Sequence, residues 1–252
     1  MLETRGLTIR FGGHVAVNAV SCAFAAGTLT AIVGPNGAGK TTYFNLVSGQ
    51  LPASAGQVLL QGRDITALPA PLRTKAGLGR AFQLTQLFPN LTVLENVRLA
   101  VQARHGGGLN LLQVWLDRRD WIDEARALLA DVRLDDKRDA LAASLPHGDQ
   151  RKLEVALLMA LDPLVYMFDE PTAGMSVDEV PVVLDLIRSL KARRDRCILL
   201  VEHKMDVVRE LADRIVVLHN GQLVADGEPA AVIASPIVQQ AYLGIAAEEA
   251  AP

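Results

Sequence analysis

The stretch Gly34-Pro35-Asn36-Gly37-Ala38-Gly39-Lys40-Thr41-Thr42 decides how this chain is read. It has the form Gly, four residues, Gly-Lys-Ser/Thr. Before it runs Thr28-Leu29-Thr30-Ala31-Ile32-Val33, a short apolar run that predicts a buried strand. After it, Tyr43 to Ser48 is apolar at helical spacing, and Gly49 marks a stop. Strand, glycine-rich turn and helix are the context in which this pattern cradles phosphate. The glycines let consecutive backbone N–H groups converge on a cluster of anionic oxygens. The helix N-terminus adds the positive end of its dipole. Lys40 is then placed to reach a β- and γ-phosphate, with the Thr41 hydroxyl toward Mg²⁺. Without those flanks the same residues would be only a glycine-rich turn ending in Lys-Thr.

Strand-rich sequence surrounds this loop. Residues 2–10 alternate as in a half-exposed strand, Phe11-Gly12-Gly13-His14 is a turn, and Val15 to Phe24 is a second strand. Gly56 to Gly62 holds another short strand. Composition changes after Arg80. Thr92-Val93-Leu94-Glu95 has the capping-box pattern and opens an amphipathic helix to about Ala103. His105 to Gly108 is a loop. A second helix runs from Trp115 or Trp121 to Ala130, with both tryptophans as packing residues. A third follows Gly148, with Leu153, Ala156, Leu157 and Ala160 on one face.

The α/β rhythm then returns. Leu164 to Phe168 is a continuous apolar run, as in a buried parallel strand. The next helix carries Val180, Val183, Leu184, Ile187 and Leu190 on one face. Cys197 to Val201 is a strand and Met205 to Ala212 a helix. Ile215–Leu218 and Gln222–Ala225 form a hairpin about Asn220-Gly221. Residues 229–243 are helical with a Pro at each possible start, and 246–252 fray. The expected architecture is α/β: a P-loop NTPase core with an antiparallel β subdomain (1–84 and 163–228), an inserted helical subdomain (85–162) and a helical tail (229–252).

The 252 residues are half hydrophobic, enough for a sizeable core. A net charge of −3 with no basic block argues against a nucleic-acid partner. The two cysteines, Cys22 and Cys197, sit in apolar runs and read as buried reduced thiols. Glu3 and Arg5 interrupt any signal-peptide core, and no apolar stretch is long enough to span a membrane.

The second chemical element is Asp169-Glu170, at the end of the Leu164–Phe168 run. A carboxylate at the end of a buried strand beside a phosphate loop is where Mg²⁺ is held, which makes Asp169 the metal candidate. Glu170 is the candidate that polarises the attacking water. Alternatively the pair caps the turn at Pro171.

With these motifs in this order the chain resembles an ATP-binding cassette (ABC) ATPase over about residues 2–228. The resemblance implies ATP as substrate and Mg²⁺ as cofactor. Gln83, in Gly79-Arg80-Ala81-Phe82-Gln83, matches the glutamine that contacts Mg²⁺ and the attacking water and couples the site to a transmembrane partner. His203, in Leu199-Leu200-Val201-Glu202-His203, matches the switch histidine on the γ-phosphate. Phe11 matches the aromatic that stacks on adenine; its alternative is a core Phe. Leu145-Pro146-His147-Gly148-Asp149-Gln150 stands where the family has Leu-Ser-Gly-Gly-Gln, so Leu145, His147, Gly148 and Asp149 would meet ATP bound by a second subunit. Pro146 removes the usual hydroxyl, with Ser144 as a possible substitute, while the Gly148 N–H and helix dipole still suit an anion. Ser176 replaces the Asp of the next loop, and either Ser176 with Glu179, or Asp178 ahead of Pro181, caps the following helix.

Arg80-Ala81-Phe82-Gln83, His-Gly-Asp-Gln, Ala-Gly-Met and Val-Glu-His resemble one subgroup: ATP-binding subunits of branched-chain (hydrophobic) amino acid importers, with close relatives serving urea or short amides. The implied partners are a homo- or heterodimeric second ABC subunit, transmembrane permease subunits and, indirectly, a solute-binding protein. The implied location is the cytoplasmic face of the inner membrane. Other readings are a soluble ABC-type ATPase or an ATP-dependent regulator. The zinc-binding insertions, long coiled coils or second cassette of the soluble class are not in this sequence.

Overall fold

The computed structural model describes residues 1–81, 87–106 and 119–243, the last three by backbone only. Contacts divide the chain into two units. The first comprises Met1–Leu78, Leu164–Glu170 and Lys191–Pro252; the second comprises Gly79–Pro163 and Pro171–Leu190.

In the first unit β1 (Leu2–Phe11), β2 (His14–Phe24), β4 (Ala55–Leu60) and β5 (Arg63–Asp64) form an antiparallel sheet in the order β2-β1-β4-β5. The expected alternation of β1 is broken by a register shift between Thr4 and Leu7. The other sheet holds β10-β9-β3-β8-β7 in that order. Its strands β3 (Leu29–Val33), β7 (Val165–Asp169) and β8 (Cys197–Val201) are buried at every position, which is why their sequences run apolar without alternation. At the edge, β9 (Arg214–His219) and β10 (Gln222–Gly227) form the hairpin. Its Asn220 and Gly221 have φ 48° and 73°, the two left-handed positions that a type I′ turn requires.

Helix α1 (Lys40–Ser48) buries Tyr43, Phe44, Leu46 and Val47 in a core shared with Phe24, Ile32, Met167 and Leu199. Each such side chain contributes about 1.5–3 kcal/mol on burial. The Thr4 and Tyr43 hydroxyls bond at 2.9 Å inside it. Short helix α2 (Ala70–Lys75) carries buried Arg73, whose guanidinium donates to Leu46 O and Val47 O at 2.7 Å. A cation on the last carbonyls of α1 also suits the helix dipole. Helices α7 (Met205–Leu211), α8 (Pro229–Ile233) and α9 (Pro236–Leu243) follow, the last two each opening on a proline. Nothing in the sequence pattern marked β5 or α2, which are too short to show a period.

The second unit starts within β6 (Leu78–Ala81). Helix α3 (Val93–Arg104) has the expected capping box: the Glu95 N–H donates to Thr92 Oγ1 at 3.1 Å and the Thr92 N–H to the Glu95 carboxylate at 2.8 Å. Helix α4 (Arg119–Asp131) buries Trp121, which stacks on His105 with ring centroids 6.0 Å apart. Trp115 and residues 246–252 lie outside the described residues. Helix α5 (His147–Leu161) buries Leu153, Val155, Ala156, Leu158 and Ala160, while Leu157 is half-buried. Leu153, Ala156 and Ala160 are thus buried as expected, and Val155 and Leu158 join them because α5 packs against both α3 and α4. Helix α6 (Val180–Ala192) buries Val183, Leu184, Ile187 and Leu190 as expected, buries Val182 and Leu186 besides, and leaves Val180 half-buried.

The division differs from the expected boundaries at 84/85 and 162/163. Gly79 packs on Leu158 and Pro163, so the second unit begins sooner. Pro171–Leu190 joins the helical unit because Gly174 meets His147 and Glu179 meets Gly148. Among the described residues no helix is long and apolar enough to cross a membrane.

Candidate functional site

Three strand ends of the first unit lie level. Ile32 of β3 and Asp169 of β7 both pair with Val201 of the intervening β8. The chain leaves β3 into the Gly34 loop, β7 into Glu170, and β8 into Glu202-His203. These three exits share the carboxyl edge of the parallel strands, where open α/β sheets bind ligands.

The loop geometry depends on two glycines. Gly34 has φ 153°, and a Cβ there would lie 2.1 Å from Leu218 O. Gly39, the N-cap of α1, has φ 95°, and a Cβ there would lie 2.5 Å from Ala16 O. No side chain caps α1, which leaves its N-terminus to an external anion. Lys40 is buried and folds back on its own loop, donating to Gly34 O at 2.6 Å and Pro35 O at 3.0 Å. Burial lowers its pKa, while Glu170 and Asp169 push it back up.

A cleft of about 370 Å³ is lined by residues Asn36 to Thr42, by Glu170 and His203, and by His14 and Ala16. Glu170 has φ 51°, a strained left-handed value for this residue type, and its N–H donates to Val201 O at 2.9 Å. That aims its carboxylate at His203, whose Nε2 lies 2.8 Å from Oε1. The His203 loop is held by the buried Glu202 carboxylate, which accepts the His203 N–H at 2.7 Å. Asp169 and Gly34 are buried. Phe11 is 50 % exposed, opposite His14 across the turn. It is therefore no core residue, and it does not line the cleft. Gln83 lies outside the described residues. His14 and Ala16 went unnoticed in the sequence; their one signal is that they follow the Phe11 turn.

The donor set suits Mg²⁺. Among the described residues no three His, Cys, Asp or Glu side chains gather as a metal cage. The oxygens of Thr41 and Asp169 are hard donors of the kind that hold Mg²⁺ jointly with substrate phosphates and water.

The sequence profile of the family described as "ABC transporter" matches residues 17–173. The chain belongs to the ABC transporter family. It is 37% identical over 249 residues to the high-affinity branched-chain amino acid transport ATP-binding protein LivG of Salmonella typhimurium, covering 97% of this chain and 98% of that one. It is 36% identical over 250 residues to the corresponding protein BraF of Pseudomonas aeruginosa, covering 97% and 98%. Among solved structures, the ADP conformation of MJ1267, an ATP-binding cassette of an ABC transporter, superposes with a TM-score of 0.80 at 29% identity, covering 97% of this chain and 98% of that one.

The variant signature of this ABC chain lies in the second unit. Leu145 is buried and its carbonyl accepts Gln150 Nε2–H at 2.9 Å. Pro146 is the N-cap of α5, so the helix starts at His147, one residue before Gly148 rather than after it. Ser144 is exposed, and its hydroxyl donates to Leu141 O at 2.7 Å. Asp149 is buried and pairs with Lys152 at 2.8 Å and with Lys137. Burial by itself would raise its pKa, but the two lysines outweigh that and hold it below the usual carboxylate value. The helix opens on Val180 with Pro181 in its first turn, and Ser176 with Glu179 closes the turn before it.

Proposed function

We propose that this chain is the ATP-hydrolysing subunit that powers import of branched-chain amino acids through membrane permease subunits. The observation that carries the reading is the single cleft shared by Lys40, Thr41, Glu170 and His203, with Glu170 and His203 at 2.8 Å. The choice of solute rests on the printed names of the LivG and BraF relatives.

In this reading the glycine-rich loop and the α1 N-terminus bind the β- and γ-phosphates of ATP. Lys40 exchanges its two loop carbonyls for phosphate oxygens. Thr41 and Asp169, with Gln83 by family resemblance, hold Mg²⁺, which neutralises phosphate charge when bound. Glu170 accepts a hydrogen bond from the attacking water, and His203 turns from Glu170 to the γ-phosphate. Phe11 offers an exposed face to adenine. The start of α5, where Pro146 and His147 are exposed while Leu145, Gly148 and Asp149 are buried behind them, faces the ATP of a second ABC subunit, which completes the site. Permease subunits at the cytoplasmic face of the membrane receive the motion, and a solute-binding protein delivers the amino acid.

The test uses the assembled complex. Glu170→Gln should keep ATP affinity within about threefold and lower turnover by a factor on the order of 10² to 10⁴. Unchanged phosphate release would overturn the role of Glu170. Uptake of labelled leucine is expected; uptake of urea without leucine would refute the solute assignment.

A further inference from the structure

The loop from Pro171 to Glu179 and helix α5 belong to the same unit, and a side chain from each joins them. The Glu179 carboxylate lies against Gly148: a Cβ there would stand 2.1–2.2 Å from Oε1, Cδ and Oε2. A methyl at position 148 would push the Glu179 carboxylate out of that place, so the contact depends on glycine there. The same carboxylate accepts the Ser176 hydroxyl at 2.9 Å and the Ser176 N–H at 3.2 Å. Its Oε1 is 4.0 Å from Lys152 Nζ, and that lysine also donates to Asp149. Earlier in the loop Gly174 meets the His147 ring, where a Cβ would stand 3.0 Å from Cε1. Two contacts, at residues 174 and 179, thus pin the loop to the first turn of α5.

We infer that Glu179 is a positioning residue that locks the 171–179 loop to the start of α5, so that both meet a second, ATP-loaded cassette as one surface. The lock itself rests only on contacts within this unit; its use at a subunit interface rests on the proposed function. It also accounts for two departures from the family motif. An Asp at position 176 would set a second carboxylate against Glu179, whereas the Ser176 hydroxyl donates to it. Asp149, in place of the usual Gln, supplies the counter-charge for Lys152 and Lys137 beside the lock.

Hydrogen exchange on the full chain tests the lock directly. Glu179→Ala and Gly148→Ala should each speed exchange of the amides of both Met175–Val180 and Gly148–Arg151 by tenfold or more. The double variant should exchange no faster than either single one, because both remove one contact. Ser176→Asp should act in the same direction, and Glu179→Gln, which keeps the bond to Ser176, should act least. Changes confined to the mutated segment, or additive in the double variant, would overturn the inference. Binding of a fluorescent ATP analogue to Glu179→Ala should stay within twofold of wild type, while ATP-driven association in a Glu170→Gln background falls tenfold or more. Loss of analogue binding in parallel would mark a general structural role and overturn it as well. If the Glu170→Gln chain shows no ATP-driven association and the exchange coupling is present, the lock stands and the proposed function fails.

Discussion

Gly34→Ala measures how tightly the phosphate loop is backed onto the parallel sheet. The new Cβ would stand 2.1 Å from Leu218 O and 3.0 Å from the Ala38 Cβ, at a backbone φ of 153°. The φ value costs about 1–3 kcal/mol for any residue with a side chain. Forcing a methyl onto a backbone carbonyl of β9 costs about 1–3 kcal/mol more, since a strand inside a sheet cannot retreat. The sum, about 2–6 kcal/mol, is a large part of the roughly 5–15 kcal/mol that holds a domain together. Gly37→Ala is the matched control. Its φ is 80° but nothing lies within 4 Å of the new Cβ, so only the dihedral term of about 1–2 kcal/mol remains. Thermal melts of both variants should differ in Tm by several degrees, at about 2–4 °C per kcal/mol for a chain of this size. Equal melting temperatures would refute the argument that Leu218 O, rather than φ, makes Gly34 necessary.

Other outcomes follow from the charged and sulfur groups. Asp149 titrates below its ordinary value of 3.8 in the folded chain, so its contribution to stability is complete above that pH and lost as pH falls through the folded value. Asp149→Asn should lose about 1–3 kcal/mol at neutral pH, and its stability should fall less steeply in acid; urea titrations at pH 3 and pH 7 measure both. Burial pushes the Cys22 thiol up to about 11 and Cys197 up to about 12. At pH 8 roughly one Cys22 in a thousand is then thiolate, so both should resist thiol reagents until urea unfolds the chain. Labelling of either in the native protein at the rate of a free thiol would contradict their burial.

Much of the cleft was legible in sequence because its parts are local. Gly34 to Thr42 carries strand, turn and helix in one uninterrupted stretch, and Asp169-Glu170 and His203 each end an apolar run. An apolar run predicts a fully buried strand, and a polar residue at its end predicts the sheet edge. The hairpin at Asn220-Gly221 and the Thr92–Glu95 cap were legible for the same reason, since their hydrogen bonds span two to four residues.

What the sequence by itself determined is therefore the set of chemical groups and the family that uses them. The tertiary structure alone decided which groups stand together. Strand order and register are long-range pairings, and nothing in either run says that Ile32 and Asp169 both sit level with Val201. The same holds for the loop after Glu170. Its sequence follows the sheet, yet Pro171–Leu190 packs with the helical unit, where Glu179 fills the place of a Cβ at Gly148 and His147 lies close to that of a Cβ at Gly174. A missing Cβ carries no period and no charge in a sequence; it becomes informative only when another side chain fills its place.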